Sequence, residues 1–153
     1  RNGVFPGGRV YYCEHGTPEL VWRPEWQSHA NGVTSMPEFI SVARDADGEA
    51  ARFATLLGTD ATMDGNGVRC VTLNGCRVTI LTPNQYSNRY GELASVMGSR
   101  DAIFGAMVFA TEGLSKLNDL LVDLDGVEVN LQPDRTAIRV DAFDAVLEFV
   151  EDV

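Results

Sequence analysis

The chain has 153 residues, enough for one domain with a real core, and its 44% hydrophobic and 22% charged content is ordinary for a globular protein. A net charge of −10, from 22 acids against 12 bases with Lys116 the sole lysine, argues against nucleic acid and anionic membrane as partners. No apolar run approaches a membrane span, and the opening Arg1-Asn2-Gly3 does not read as a signal peptide; a cytoplasmic chain whose beginning is missing is expected.

Residues 10–15 (VYYCEH) read as a short strand rich in β-formers, followed by a connector bearing Trp22 and Trp26, four apart, as anchors. An apolar strand at 37–43 ends at Arg44-Asp45. Asp45 or Asp47 can cap the next helix, whose Ala50, Phe53, Ala54 and Leu57 share one face and which Gly58 stops. A weak strand near Thr62 precedes VRCVTL and CRVTIL, and the Asn74-Gly75 pair between those two runs signals a hairpin. Residues 82–100, with Pro83, Gly91 and Gly98, read as a linker holding one or two helical turns. Tyr86, Asn88 and Tyr90 there suit either a lid or a polar surface turn. The pattern then restarts: a strand at 103–110, Thr111 as a helix cap, a stripe of Leu114, Leu117, Leu121 and Leu124, a stop at Gly126, and strands at 127–131, 136–140 and 145–150. Cys13, Cys70 and Cys76 are odd in number and lack metal-type spacing, so they read as reduced thiols.

The two halves repeat one another. EFISVARDADGEAARFATLLG from Glu38 and AMVFATEGLSKLNDLLVDLDG from Ala106 are each a strand, an acidic break, an amphipathic helix and a glycine. The organisation expected is an N-terminal strand and connector (1–33), a first βαβββ module (34–83), a linker (84–101) and a second βαβββ module (102–153). The fold class is α+β.

Two such modules resemble the vicinal oxygen chelate superfamily, which includes glyoxalase I, extradiol dioxygenases and bleomycin-resistance proteins. The resemblance covers residues 36–153. The segments CEHGTPELVWRPEWQSHANGVT and ILTPNQYSNRYG resemble bacterial glyoxalase-like proteins of four modules, which implies that this chain is the C-terminal half of a longer one. The resemblance implies a curved mixed sheet around one cavity, with helices on its outer face. Strand alternation then assigns facing. In the second module Ile138, Val140, Leu147 and Phe149 are apolar and suit the helix side, leaving Ala137, Arg139, Val146 and Glu148 for the cavity. A constant offset of 68 residues carries this to the first module, giving Arg69, Val71, Val78 and Ile80 for the cavity and Cys70, Thr72, Thr79 and Leu81 for the helix side.

In the superfamily, metal ligands come from the first and last strand of each module. At that offset the positions are Glu38, Ile80, Ala106 and Glu148, of which only Glu38 and Glu148 can bind a metal. No cofactor is therefore expected, and a divalent metal would have an incomplete ligand set. The two carboxylates either pair with Arg69 and Arg139, or one acts as a general base while an arginine holds a developing oxyanion. The resulting expectation is a glyoxalase-like domain for a small polar or carbonyl-containing molecule. It is either a lyase, isomerase or dioxygenase with Glu38 and Glu148 as catalytic and metal-binding residues, or a metal-free sequestering module, or a structural half. Arg69, Val71, Arg139 and His15 are the substrate-binding candidates; His15 and His29 also fit loop histidines. An exposed strand at 10–15 would favour a homodimer or pairing with the missing half.

Overall fold

The protein is described by a computed structural model covering residues 5–11, 13–121 and 124–152. Each half begins with a long strand, β1 (Val33–Ala43) and β5 (Ala102–Thr111). The first half continues with α1 (Ala46–Leu57), β2 (Ala61–Met63), β3 (Arg69–Leu73) and β4 (Cys76–Leu81). A linker helix, α2 (Pro83–Tyr90), joins the halves, and the second continues with α3 (Leu114–Leu121), β6 (Val127–Leu131), β7 (Arg135–Val140) and β8 (Ala145–Glu151). One eight-stranded mixed sheet results, in the order β2-β3-β4-β1-β5-β8-β7-β6. The antiparallel β1–β5 pair at its centre joins the modules, and within each module the first and last strands run parallel.

Local chemistry explains most boundaries. Asp45 caps α1 by accepting from the Gly48 amide at 2.9 Å, and Gly58 ends it in the left-handed region at φ 65°. Asn74 and Gly75 both have positive φ, the two-residue turn that matches strand twist. α3 starts differently from the sequence expectation. Thr111 is a buried strand residue whose hydroxyl donates to the Asn31 carbonyl, and the Leu114 amide is capped by the Glu151 side chain at 3.0 Å. An acceptor from the last strand serves where a local one was expected.

The N-terminal expectations change more. The described residues of 10–15 form no strand and are exposed; Tyr12 lies outside the described residues. Trp22 and Trp26 are 63% and 58% exposed and do not anchor the connector on the sheet. Trp22 meets His15 edge-on, and the Arg23 guanidinium lies over the Trp26 ring.

α1 and α3 pack on one face. Phe53 and Ala50 of α1 bury against Val71 and Ile80, while Leu114, Leu117 and Leu121 bury against Ile138 and Phe149. Burying each large apolar side chain contributes about 1.5–3 kcal/mol. α2 occupies the opposite face. Its Tyr86 and Tyr90, far from forming a surface turn, pack on Ile40, Val42, Val108 and Val146 in the middle of the sheet. The middle of the inner face is thus filled by the linker.

The facing assigned to the first module is inverted. Val71 and Ile80 lie fully buried under α1, and Val78 packs with them, whereas Thr79, Cys70 and Leu81 face inward. The cause is a loop difference. The first hairpin turns in two residues at Asn74-Gly75, the second in four at 141–144. Aligned through strand pairing, Cys70 matches Ala137, 67 positions on, and Thr79 matches Glu148, 69 positions on. A constant offset of 68 errs by one on both strands, and a slip of one residue reverses every side chain.

Candidate functional site

Glu38 on β1, Val108 on β5 and Glu148 on β8 form one row across the centre of the inner face. Two inter-strand spacings, about 10 Å, separate the two glutamate backbones. Both side chains are nearly inaccessible, at 8% and 3% exposure, so each carboxylate must find partners within the protein.

The central partner is Arg89, on the last turn of α2. Its Nη2 donates to Glu38 Oε2 at 2.9 Å and to Glu148 Oε1 at 3.0 Å, and its Nε donates to Glu148 Oε2 at 3.1 Å. Glu38 Oε1 also accepts from Arg77 Nη2 at 2.8 Å and from the Thr79 hydroxyl. On the other side Arg135 Nη1 donates to Glu148 Oε2 at 3.3 Å, while its Nη2 holds the Arg89 carbonyl at 2.9 Å. Two carboxylates and three guanidiniums thus form one connected network, and charge-assisted bonds of this type are the strong ones. Burial pushes the Glu38 carboxyl upward, but the Thr79 hydroxyl, Arg89 and Arg77 outweigh it and hold it below the ordinary carboxylate value. Burial likewise opposes the charge on Arg89, yet Glu148 and Glu38 overcome it and raise its pKa. The Tyr90 phenol is raised, first by burial and then by the nearby Glu148 charge. Its oxygen is buried without a hydrogen-bond partner among the described residues.

Local sequence explains how Arg89 arrives there. Thr82 and Gln85 form a reciprocal capping box with Pro83 in the first turn, which fixes the start of α2. Tyr86 and Tyr90, four apart, then anchor one face of the helix, and Arg89 lies between them in sequence. The Tyr86 hydroxyl donates to the Gly105 carbonyl at 2.8 Å, pinning α2 to β5. The signal for this helix is present in TPNQ and in the tyrosine spacing, whereas nothing local in the sequence distinguishes Arg89 from the rest of the linker.

The sequence candidates therefore separate. Glu38 and Glu148 meet across Arg89. Arg69 lies on the α1 side, where its Nη2 donates to Asp47 Oδ2 at 2.9 Å, so neither it nor the core residue Val71 reaches the carboxylates. Arg139 faces inward but bonds Glu128 at 2.7 Å and the Glu92 carbonyl at 2.9 Å instead of Glu148. His15 is exposed in the connector beside Trp22. Arg77, Thr79, Arg89 and Arg135 are the partners that sequence reasoning missed.

The resemblance read from the sequence implies a divalent metal at such a place, and these residues do not suit one. Among the described residues no group of three or more His, Cys, Asp or Glu side chains is placed to hold a metal ion. A guanidinium, which has no acceptor and stays charged, stands between the Glu38 and Glu148 carboxylates. Beside the network, an open cleft of about 440 Å³ runs along the inner face of the first module. Arg77, Thr79 and Glu38 lie on one flank and Gln85, Asn88 and Arg89 on the other.

No family model matches the chain, and no curated protein matches it. Solved structures do. Methylmalonyl-CoA epimerase from Mycobacterium tuberculosis superposes with a TM-score of 0.56 at 17% identity, covering 82% of this chain and 96% of that one. A variant of the Streptomyces coelicolor methylmalonyl-CoA epimerase, in complex with 2-nitronate-propionyl-CoA, gives 0.52 at 16% identity over 79% and 99%. At such identities the likeness is one of fold, and it is the vicinal oxygen chelate fold.

Proposed function

We propose that this chain, a vicinal oxygen chelate fold with an arginine at its centre, is a metal-free domain that binds a small polar molecule in the cleft beside Glu38. The observation that carries this reading is the bridge of Arg89 across Glu38 and Glu148. An internal cation supplies the charge that a divalent ion would otherwise bring, and it does so permanently. The same bridge argues against a carboxylate base. A general base works best with a pKa near the operating pH, whereas Glu38 is held low and both its oxygens accept hydrogen bonds. The similar fold of the epimerases supports small-molecule binding as the general role.

Metal analysis of protein purified without chelator, with thermal shifts against Mg²⁺, Mn²⁺, Fe²⁺, Ni²⁺ and Zn²⁺, tests the reading. We expect no co-purifying ion and no stabilisation. A stoichiometric ion, lost together with stability on replacing Glu148 by Gln, would overturn it.

A further inference from the structure

The cleft of the first module carries an excess of hydrogen-bond donors. Arg77 is 53% exposed and uses only Nη2, toward Glu38; among the described residues its other nitrogens have no acceptor. Gln85 commits its Oε1 to the Thr82 amide at 2.9 Å and the Thr82 hydroxyl at 3.0 Å. Its amide oxygen is thereby fixed, and its NH₂ is left as a donor with no acceptor among the described residues, on the cleft wall. Of the carboxylates there, Glu38 takes three donors, and Asp64, at the cleft margin, accepts the Asn66 and Val68 backbone amides at 2.9 Å with Oδ1, while the Asn66 and Asn88 side chains add donors and acceptors equally. Arg77 and Leu81 stand four residues apart on β4, both facing inward, and Leu81 and Val68 give the cleft an apolar wall between its polar groups.

We propose that the ligand of this cleft is a small organic carboxylate carrying a second oxygen several carbons away. Its carboxylate lies on Arg77, its carbon chain on Val68 and Leu81, and its distal carbonyl or hydroxyl accepts from Gln85. The proposal rests on the reading of the cleft as a binding site and names the class of molecule it takes. A guanidinium with unused donors recognises a carboxylate through charge-assisted bonds, and an amide fixed by its oxygen offers only a donor to the ligand. An amine would lie beside the Arg77 and Arg89 guanidiniums, and the acceptors left to it among the described lining side chains are the neutral Asn66 and Asn88 amide oxygens and the remaining oxygen of Asp64.

Titration followed by NMR, with 4-oxopentanoate, pentanoate, 4-oxopentanamide and pentylamine as probes, tests this on the intact chain. We expect 4-oxopentanoate to bind at least tenfold more tightly than its amide and severalfold more tightly than pentanoate. Two variants keep the fold and change the readout. Gln85→Glu retains the capping oxygen while removing the donor, and should weaken 4-oxopentanoate about tenfold without lowering the melting temperature. Asp64→Asn retains the turn acceptor while removing a negative charge, and should tighten both carboxylates but not the amide. Preference for pentylamine, binding indifferent to Gln85→Glu, or no response to any of the four probes overturns the carboxylate assignment. Those results leave the metal-free reading untouched, because that reading is decided by metal analysis.

Discussion

Replacing Arg89 by Met removes the central cation while keeping a long apolar stem. Glu38 Oε2 and Glu148 Oε1 both lie near 3 Å from one nitrogen, 2.9 and 3.0 Å away, so the facing oxygens stand about 5 Å apart. Two negative charges at that distance repel by about 3 kcal/mol at an effective dielectric near 20. Removing one partner of a buried pair costs about 3–5 kcal/mol, and Arg77, Thr79 and Arg135, which remain, keep the loss toward the lower end. We expect about 3 kcal/mol at pH 7, or roughly 10 °C in melting temperature for a chain of this size.

The pH dependence follows from Glu38, whose folded pKa lies below its unfolded value. Its stabilisation is full above the unfolded pKa, about 4.3, and disappears as pH falls through the folded pKa. Without Arg89 burial is less opposed, the folded pKa of Glu38 rises, and that part of the difference between the two proteins shrinks as pH falls toward 4. Urea unfolding of both proteins at pH 7 and pH 4 measures it. A loss under about 1 kcal/mol at pH 7, or one equally large at pH 4, would refute the account of Arg89 as the internal counter-ion.

Other perturbations separate core from site. Val71→Ala, beneath α1, should cost about 2–3 kcal/mol in urea unfolding from the lost methyl groups and the space they leave, with probe affinities in the cleft unchanged. A change in affinity without a change in stability would contradict that placement. Gly105→Ala would bring a Cβ within 2.6 Å of Val42 Cγ2 and 3.0 Å of the Tyr86 ring. Overpacking there should cost about 1–3 kcal/mol, read in urea unfolding, and shift the NMR signals of α2, because Tyr86 holds that helix against β5.

Much of the architecture was legible because it depends on local rules. The capped helix from Ala46 and the Asn74-Gly75 turn follow from side-chain chemistry within a few residues. The Leu114, Leu117 and Leu121 stripe follows from helical periodicity and is buried as such, whereas Leu124 lies beyond α3 and is half exposed. The paired modules followed from the repeat. Facing in the first module was not legible from a fixed offset, because two additional loop residues at 141–144 alter the spacing within the hairpin. Thr79 looked misplaced against a helix and is in fact a partner of Glu38; that oddity was the signal available in the sequence. The identity of the arginines beside the carboxylates was harder, since Arg77, Arg89 and Arg135 come from three different elements.

What the sequence determined by itself is the kind of element at most positions and their duplication, since capping, turn chemistry and periodicity act over a few residues. It also contained both carboxylates, Glu38 and Glu148, because side-chain chemistry is written residue by residue. Tertiary structure decided what stands between them. Only the packing of Tyr86 and Tyr90 onto the centre of the sheet brings Arg89 from the linker into reach of both. The physical reason is that neither charge could be buried alone, so the fold is completed by a cation carried in from a distant part of the chain.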